Sequence, residues 1–134
     1  MHRARGWSAL IVATIACAAT VGAAADDGLF GRWGGERLNL FLDANGGRVE
    51  TDCASGLIAG PVQADRQGHF SATGTFAVQR AGSQPADVDD RAAARYSGDV
   101  KGDTMTLTIS PVAGAAPQVF HLRKGVAVKL VRCL

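Results

Sequence analysis

The chain is poor in the residues that usually announce chemistry. Its 134 positions hold three histidines and three cysteines, and 19% of its side chains are charged, 14 basic against 12 acidic. A balance that even leaves no clustered Lys and Arg to displace the counterions of a phosphate backbone, so no nucleic-acid partner is expected. No spacing of His, Cys and Asp converges as metal ligands do, and neither a metal nor any other cofactor is expected. No serine occupies a nucleophile-elbow pattern, and no free thiol is expected beside a histidine and an acid, which removes the usual acyl-transfer triads. Beyond residue 25 the histidines are His69 and His121, each in an alternating segment on the side opposite the apolar residues. Glu36, Glu50 and Asp52 fall in one hairpin and are the nearest approach to a carboxylate pair for glycoside chemistry. Charges on a hairpin normally form its solvated face, so the chain reads as non-enzymatic, with no catalytic residues.

Long apolar runs are missing except at the start. His2, Arg3 and Arg5 open the chain, residues 7–21 are apolar, and Val21-Gly22-Ala23-Ala24-Ala25 supplies small residues before Asp26-Asp27. This is the pattern of a secretory signal peptide cleaved after Ala25. The run is shorter than the roughly 20 residues needed to span a bilayer, so no membrane anchor is expected after cleavage. Cys17 follows Thr14-Ile15-Ala16 and lacks the Leu-like residue three positions earlier that lipidation favours. The expected organisation is a leader over residues 1–25 and a single domain over residues 26–134, periplasmic or secreted and monomeric. Losing Arg3 and Arg5 leaves 12 basic and 12 acidic residues, a net charge of zero.

Outside the leader only Cys53 and Cys133 remain. An oxidising compartment allows them one intramolecular pairing, which closes a loop of about 80 residues and contributes roughly 4 kcal/mol by loop-closure arithmetic.

What is present is alternation in short runs punctuated by Gly, Asp, Asn and Pro. Leu38, Leu40 and Leu42 alternate with Arg37, Asn39 and Phe41, residues 43–47 read as a hairpin turn, and Val49, Thr51 and Cys53 return. Residues 56–62 form a poorer strand. After the turn at Asp65-Arg66-Gln67-Gly68, Phe70, Ala72, Gly74, Phe76 and Val78 share one face. Residues 81–90 are a polar loop. Residues 92–100 follow, with a short helical turn conceivable at their start, and then residues 104–110. The last two segments, 118–123 and 126–132, read as a closing pair.

These segments predict an all-β domain, a small up-and-down antiparallel β-barrel of about eight strands, in which closure removes exposed edges. A two-sheet β-sandwich is the alternative.

Several motifs resemble an uncharacterised family of small exported bacterial proteins. They are Gly31-Arg32-Trp33-Gly34-Gly35, Asp52-Cys53-Ala54-Ser55-Gly56, Asp65-x-x-Gly68-x-Phe70, Gly74-Thr75-Phe76, Gly102-Asp103-Thr104-Met105-Thr106-Leu107 and Leu130-Val131-Arg132-Cys133-Leu134. That resemblance spans nearly all of residues 26–134 and implies no activity. Gly31-x-Trp33 with Arg132 is more loosely similar to the calycin barrels, the lipocalins and avidins. There a Trp on the first strand is crossed by a cation from the last, and the resemblance implies a barrel-closing pair of Trp33 and Arg132.

Two binding modes follow. A barrel can hold a small apolar ligand, and the inward register proposes Leu38, Leu40, Val49, Phe70, Phe76, Tyr96, Met105, Leu107, Phe120, Val128 and Leu130 as its lining or its core. Candidate ligand contacts are Leu40, Phe70, Phe76, Tyr96, Met105, Leu107 and Phe120. The alternative is an extracytoplasmic protein partner, bound as small hydrolase-inhibitor barrels bind theirs, through residues 81–90 or the segment from Asp26 to Phe30.

Overall fold

A computed structural model describes residues 28–78, 91–131 and 133. The expected leader, Asp26-Asp27, residues 81–90 and Arg132 lie outside the described residues.

Eight strands follow one another: β1 (Gly31–Gly35), β2 (Leu38–Asp43), β3 (Gly46–Thr51), β4 (Ala54–Ala59), β5 (His69–Val78), β6 (Ala92–Lys101), β7 (Thr104–Pro111) and β8 (Gln118–Lys124). Each pairs antiparallel with the next, and β1 pairs with β8 to close the barrel. The fold is therefore the up-and-down barrel and not the sandwich. No helix among the described residues is long and apolar enough to cross a membrane.

Turn chemistry fixes the register. Asp43 pairs with Gly46 across a two-residue loop, where the Asp43 carboxylate accepts the Asn45 N–H at 2.8 Å. At the start of β5, Asp65 does the same for the N–H groups of Gln67 and His69, at 2.8 and 2.9 Å. That carboxyl is held below its usual range, chiefly by the His69 N–H. β6 is strand from Ala92 onward, with no helical turn.

Two segments differ from the sequence reading. Gly31–Gly35 is the first strand, although its three glycines leave almost nothing to alternate. Residues 126–132 supply no closing strand: the described part, 126–131, is extended chain outside the ladder. The open edge of β8 is already taken by β1, with Trp33 opposite Lys124 and Gly34 opposite Arg123. The tail instead runs as a strap over the outer face of β1 and β2. Asn39 holds it with both ends of its amide, donating to Val128 O and accepting from Val128 N–H, each at 2.8 Å. Gly34 permits this approach, because a β-carbon there would strike the Val126 carbonyl. Val128 and Leu130 are consequently half-buried residues of the strap rather than part of the barrel interior.

Leu38, Leu40, Leu42, Val49, Ile58, Phe70, Tyr96, Met105, Leu107, Ile109 and Leu122 fill the barrel. Each contributes roughly 1.5–3 kcal/mol through removal of its apolar surface from water. Leu29, before β1, and Val62, after β4, are both 1% exposed and join this core at the end of the barrel where β1 begins, here called the base. The opposite end, the rim, carries the β1–β2 and β3–β4 turns, the end of β5, the start of β6 and the segment between β7 and β8.

Candidate functional site

The inward positions come together, and they are occupied by one another. Leu40, Phe70, Tyr96, Met105 and Leu107 are buried in one cluster, against which Phe76 and Phe120 pack partly buried. The glycines on the same registers do not leave room. A β-carbon on Gly56 would run into the Tyr96 hydroxyl, and one on Gly98 would lie 2.9 Å from Phe70 Cζ. The two large rings therefore occupy the space that the glycines vacate. Tyr96 Oη donates to Thr75 O at 2.6 Å, and burial pushes the phenol up to about 12. Clefts lined by described residues lie instead on the outer wall.

At the base, Trp33 Nε1 donates to Leu29 O at 2.9 Å. The cation over the indole is Lys124, at the end of β8, whose Nζ lies 5.6 Å from the ring centre and donates to Gly28 O at 2.7 Å. Arg132, expected in that place, lies outside the described residues. Lys124 escapes sequence reasoning because it reads as a turn residue beside Gly125. The burial of Leu29 also means that the segment leading into β1 spends its apolar side chain on the core, so Leu29 does not project as a wedge.

The rim is where polar groups converge. Gly35 and Leu38 pair across a two-residue turn, and both central residues, Glu36 and Arg37, have positive φ, 47° and 63°. Such a turn suits Asn-Gly, and a left-handed conformation costs about 1–2 kcal/mol for a residue with a β-carbon. Side-chain partners offset that cost. Glu36 Oε2 accepts the His121 N–H at 2.9 Å, and Oε1 lies 3.2 Å from His121 Nδ1. Arg37 Nε donates to Asp52 Oδ2. The second Asp52 oxygen accepts the Val131 N–H at 2.7 Å, and the Asp52 carbonyl accepts the Cys133 N–H at 3.2 Å. Next to it, Cys53 and Cys133 form a disulfide, with Cα atoms 5.2 Å apart. The His121 N–H holds the Glu36 carboxyl below its ordinary range, and Arg37, then the Val131 N–H, do the same for Asp52.

Two of the three hairpin carboxylates are thus engaged elsewhere, Glu36 with β8 and Asp52 with Arg37 and the strap. His69 Nε2 lies 2.8 Å from Asp99 Oδ1 on the outer wall. Among the described residues no group of three or more His, Cys, Asp or Glu could hold a metal ion.

Three exposed valines share this end of the barrel with the charged turn. Val78 ends β5 opposite Ala54 and is 55% exposed; Val112, bonded through its N–H to Ala93 O, is 71% exposed; Val131, on Asp52, is 61% exposed. Sequence reasoning missed Arg37, Val112 and Val131 and set Val78 on the face of Phe70 without its exposure at the strand end, because only the closed topology brings these segments to one end.

No family model, no curated protein and no solved structure matches this chain.

Proposed function

We propose that this protein is an exported, non-enzymatic binding module that engages an extracytoplasmic partner protein through its rim. The observation that carries the reading is the Glu36-Arg37 turn. Two successive non-glycine residues are kept in a left-handed conformation and fastened by their charged side chains to β8 and to the disulfide-bearing turn. Backbone strain that the surroundings over-determine is a mark of functional sites. Here it fixes two opposite charges at the end of the barrel that also carries exposed apolar side chains, the mixture typical of binding surfaces. The leader and the disulfide support export. The mutual packing of Tyr96 and Phe70 with Gly56 and Gly98 favours the rim over the lumen as the place of binding. Kinship with the calycin barrels is proposed on the same footing, from Gly31-x-Trp33 and the cation that the last strand lays over the indole.

A photo-crosslinking residue at Val112, compared with one at Thr108 on the outer wall, tests this in the extracytoplasmic fraction of producing cells. Position 112 is expected to give a discrete adduct, reduced about tenfold by Arg37→Glu, which corresponds to roughly 1.4 kcal/mol of binding. Equal labelling from both positions, or none from position 112, overturns the rim as the binding surface.

A further inference from the structure

The outer wall carries a row of side chains that the rim does not use. The ladder sets Phe41 of β2 opposite Arg48 of β3, Arg48 opposite Leu57 of β4, and Leu57 opposite Thr75 of β5. Phe41, Arg48 and Leu57 point outward, because Leu40, Leu42, Val49 and Ile58 beside them are buried. Leu57 is 53% exposed and Phe41 40%, an unusual expense for strand positions in a barrel whose outer wall is otherwise mostly Ser, Thr and charge.

Clefts lie on both sides of this row. One of about 610 Å³ extends toward Asp43 and Ala59; another of about 400 Å³ extends toward Glu50 and Ala77. Arg48, Leu57, Thr75 and Arg91 border both. Their volumes fall in the range of small-molecule sites, about 300–1,000 Å³. They are hollow for a local reason: the outward positions flanking Leu57 carry Ser55, Ala59 and Ala77, whose short side chains leave the leucine standing alone.

Arg48 supplies the charge. Its guanidinium lies 5.7 Å from the centre of the Phe41 ring, and it has no hydrogen bond or ion pair among the described residues. An arginine laid on an aromatic face is oriented and partly desolvated, and its fork of N–H donors stays available to a carboxylate. Of the two acids on these clefts, Asp43 is occupied by the Asn45 N–H, and Glu50 makes no ion pair with Arg48 among the described residues.

We infer that this wall binds a small amphipathic carboxylate, its apolar chain lying over Leu57 and Phe41 and its carboxylate on Arg48. A bare anion would leave the apolar pair uncovered, and a neutral hydrocarbon would leave Arg48 without a partner. The site goes beyond the rim reading and uses none of its residues.

Isothermal titration of the oxidised protein with dodecanoate below its micellar concentration, with dodecanol and dodecyltrimethylammonium as controls, tests the assignment. Saturable one-to-one binding of dodecanoate is expected, with the cationic control silent. Arg48→Gln and Leu57→Ser each weaken it about tenfold, the size of one charge-assisted hydrogen bond or one buried leucine contact. Both positions are exposed, so unchanged melting curves are expected to show that the variants fold. No saturable binding overturns the inference, as do equal affinity for dodecanol and indifference to both substitutions. Because crosslinking at Val112 reads the rim separately, either result can fail without the other.

Discussion

Lys124 lies over Trp33 and ties the two ends of the barrel wall together. Its ammonium stands 5.6 Å from the indole centre and 2.7 Å from Gly28 O, while the indole N–H reaches Leu29 O at 2.9 Å. One side chain of the last strand thereby clamps the ring of the first strand and the chain that enters it.

Replacing Lys124 by Met keeps most of the apolar stem and removes the charge and the donor. The expected cost is about 1–2 kcal/mol, from a partly exposed cation–π contact and one hydrogen bond. Urea unfolding followed by Trp33 emission measures it directly. Lys129→Met in the exposed strap is the control and should leave the midpoint unchanged. A Lys124→Met midpoint equal to wild type would mean that the pair contributes no stability.

Tyr96 is the only tyrosine in the chain, so its ionisation can be followed alone. With its hydroxyl buried on Thr75 O, absorbance at 295 nm should stay flat past the ordinary value of 10.0 and rise only near 12. In urea the rise should return to about 10. The sign follows from a folded value above the unfolded one: this contribution to stability is whole below pH 10 and fades as pH climbs toward 12. Gly56→Ala, which drives a β-carbon into the hydroxyl, should cost roughly 1–3 kcal/mol, and Tyr96→Phe in the same chain should recover part of it.

How much of this can be read from the chain depends on whether side chains or partners decide the structure. β5 and β7 are legible, because their apolar residues recur at every second position and a turn containing Asp and Gly leads into each. β1 is not, because Gly31, Gly34 and Gly35 carry no pattern and only their pairing with β2 and β8 makes them a strand. The strap fails in the opposite way: Val126, Val128 and Leu130 alternate like a strand, yet no ladder edge is left for them. At the rim, Cys53 with Cys133 follows from counting. Arg37 with Asp52 and Glu36 with His121 do not, since they are 15 and 85 residues apart and meet only after the hairpins have closed.

Acid should loosen the rim before the barrel. The folded Glu36 and Asp52 carboxyls sit below their ordinary values of 4.5 and 3.8. Their contribution is therefore complete above about pH 5 and is lost as the pH falls through the folded values. Protection of the Val131 and His121 amides against hydrogen exchange, relative to their intrinsic rates at each pH, should fall below pH 4, ahead of that of amides in β5 and β6. Asp52→Asn should remove the pH dependence at Val131 alone, because that N–H donates to Asp52, while His121 continues to follow Glu36. A simultaneous change at both amides in the Asp52→Asn protein would point to global unfolding instead.

The disulfide pins the strap rather than closing the barrel, and removing it separates the two. The β1–β8 ladder completes the wall without residues 126–133, whereas the end of the strap is held by Cys53 and Asp52. Replacing Cys53 and Cys133 together by Ser should lower stability by up to about 4 kcal/mol, the entropy released by opening a loop of 80 residues. Far-UV circular dichroism should remain that of a β-protein. Trypsin should now cut after Lys129 while sparing sites within β5–β7, since a strap held only through Asn39 and Asp52 frays more often than the ladder opens. Collapse of the β-spectrum in the double variant would show that the strap, and not the pairing of β1 with β8, is what keeps the barrel shut.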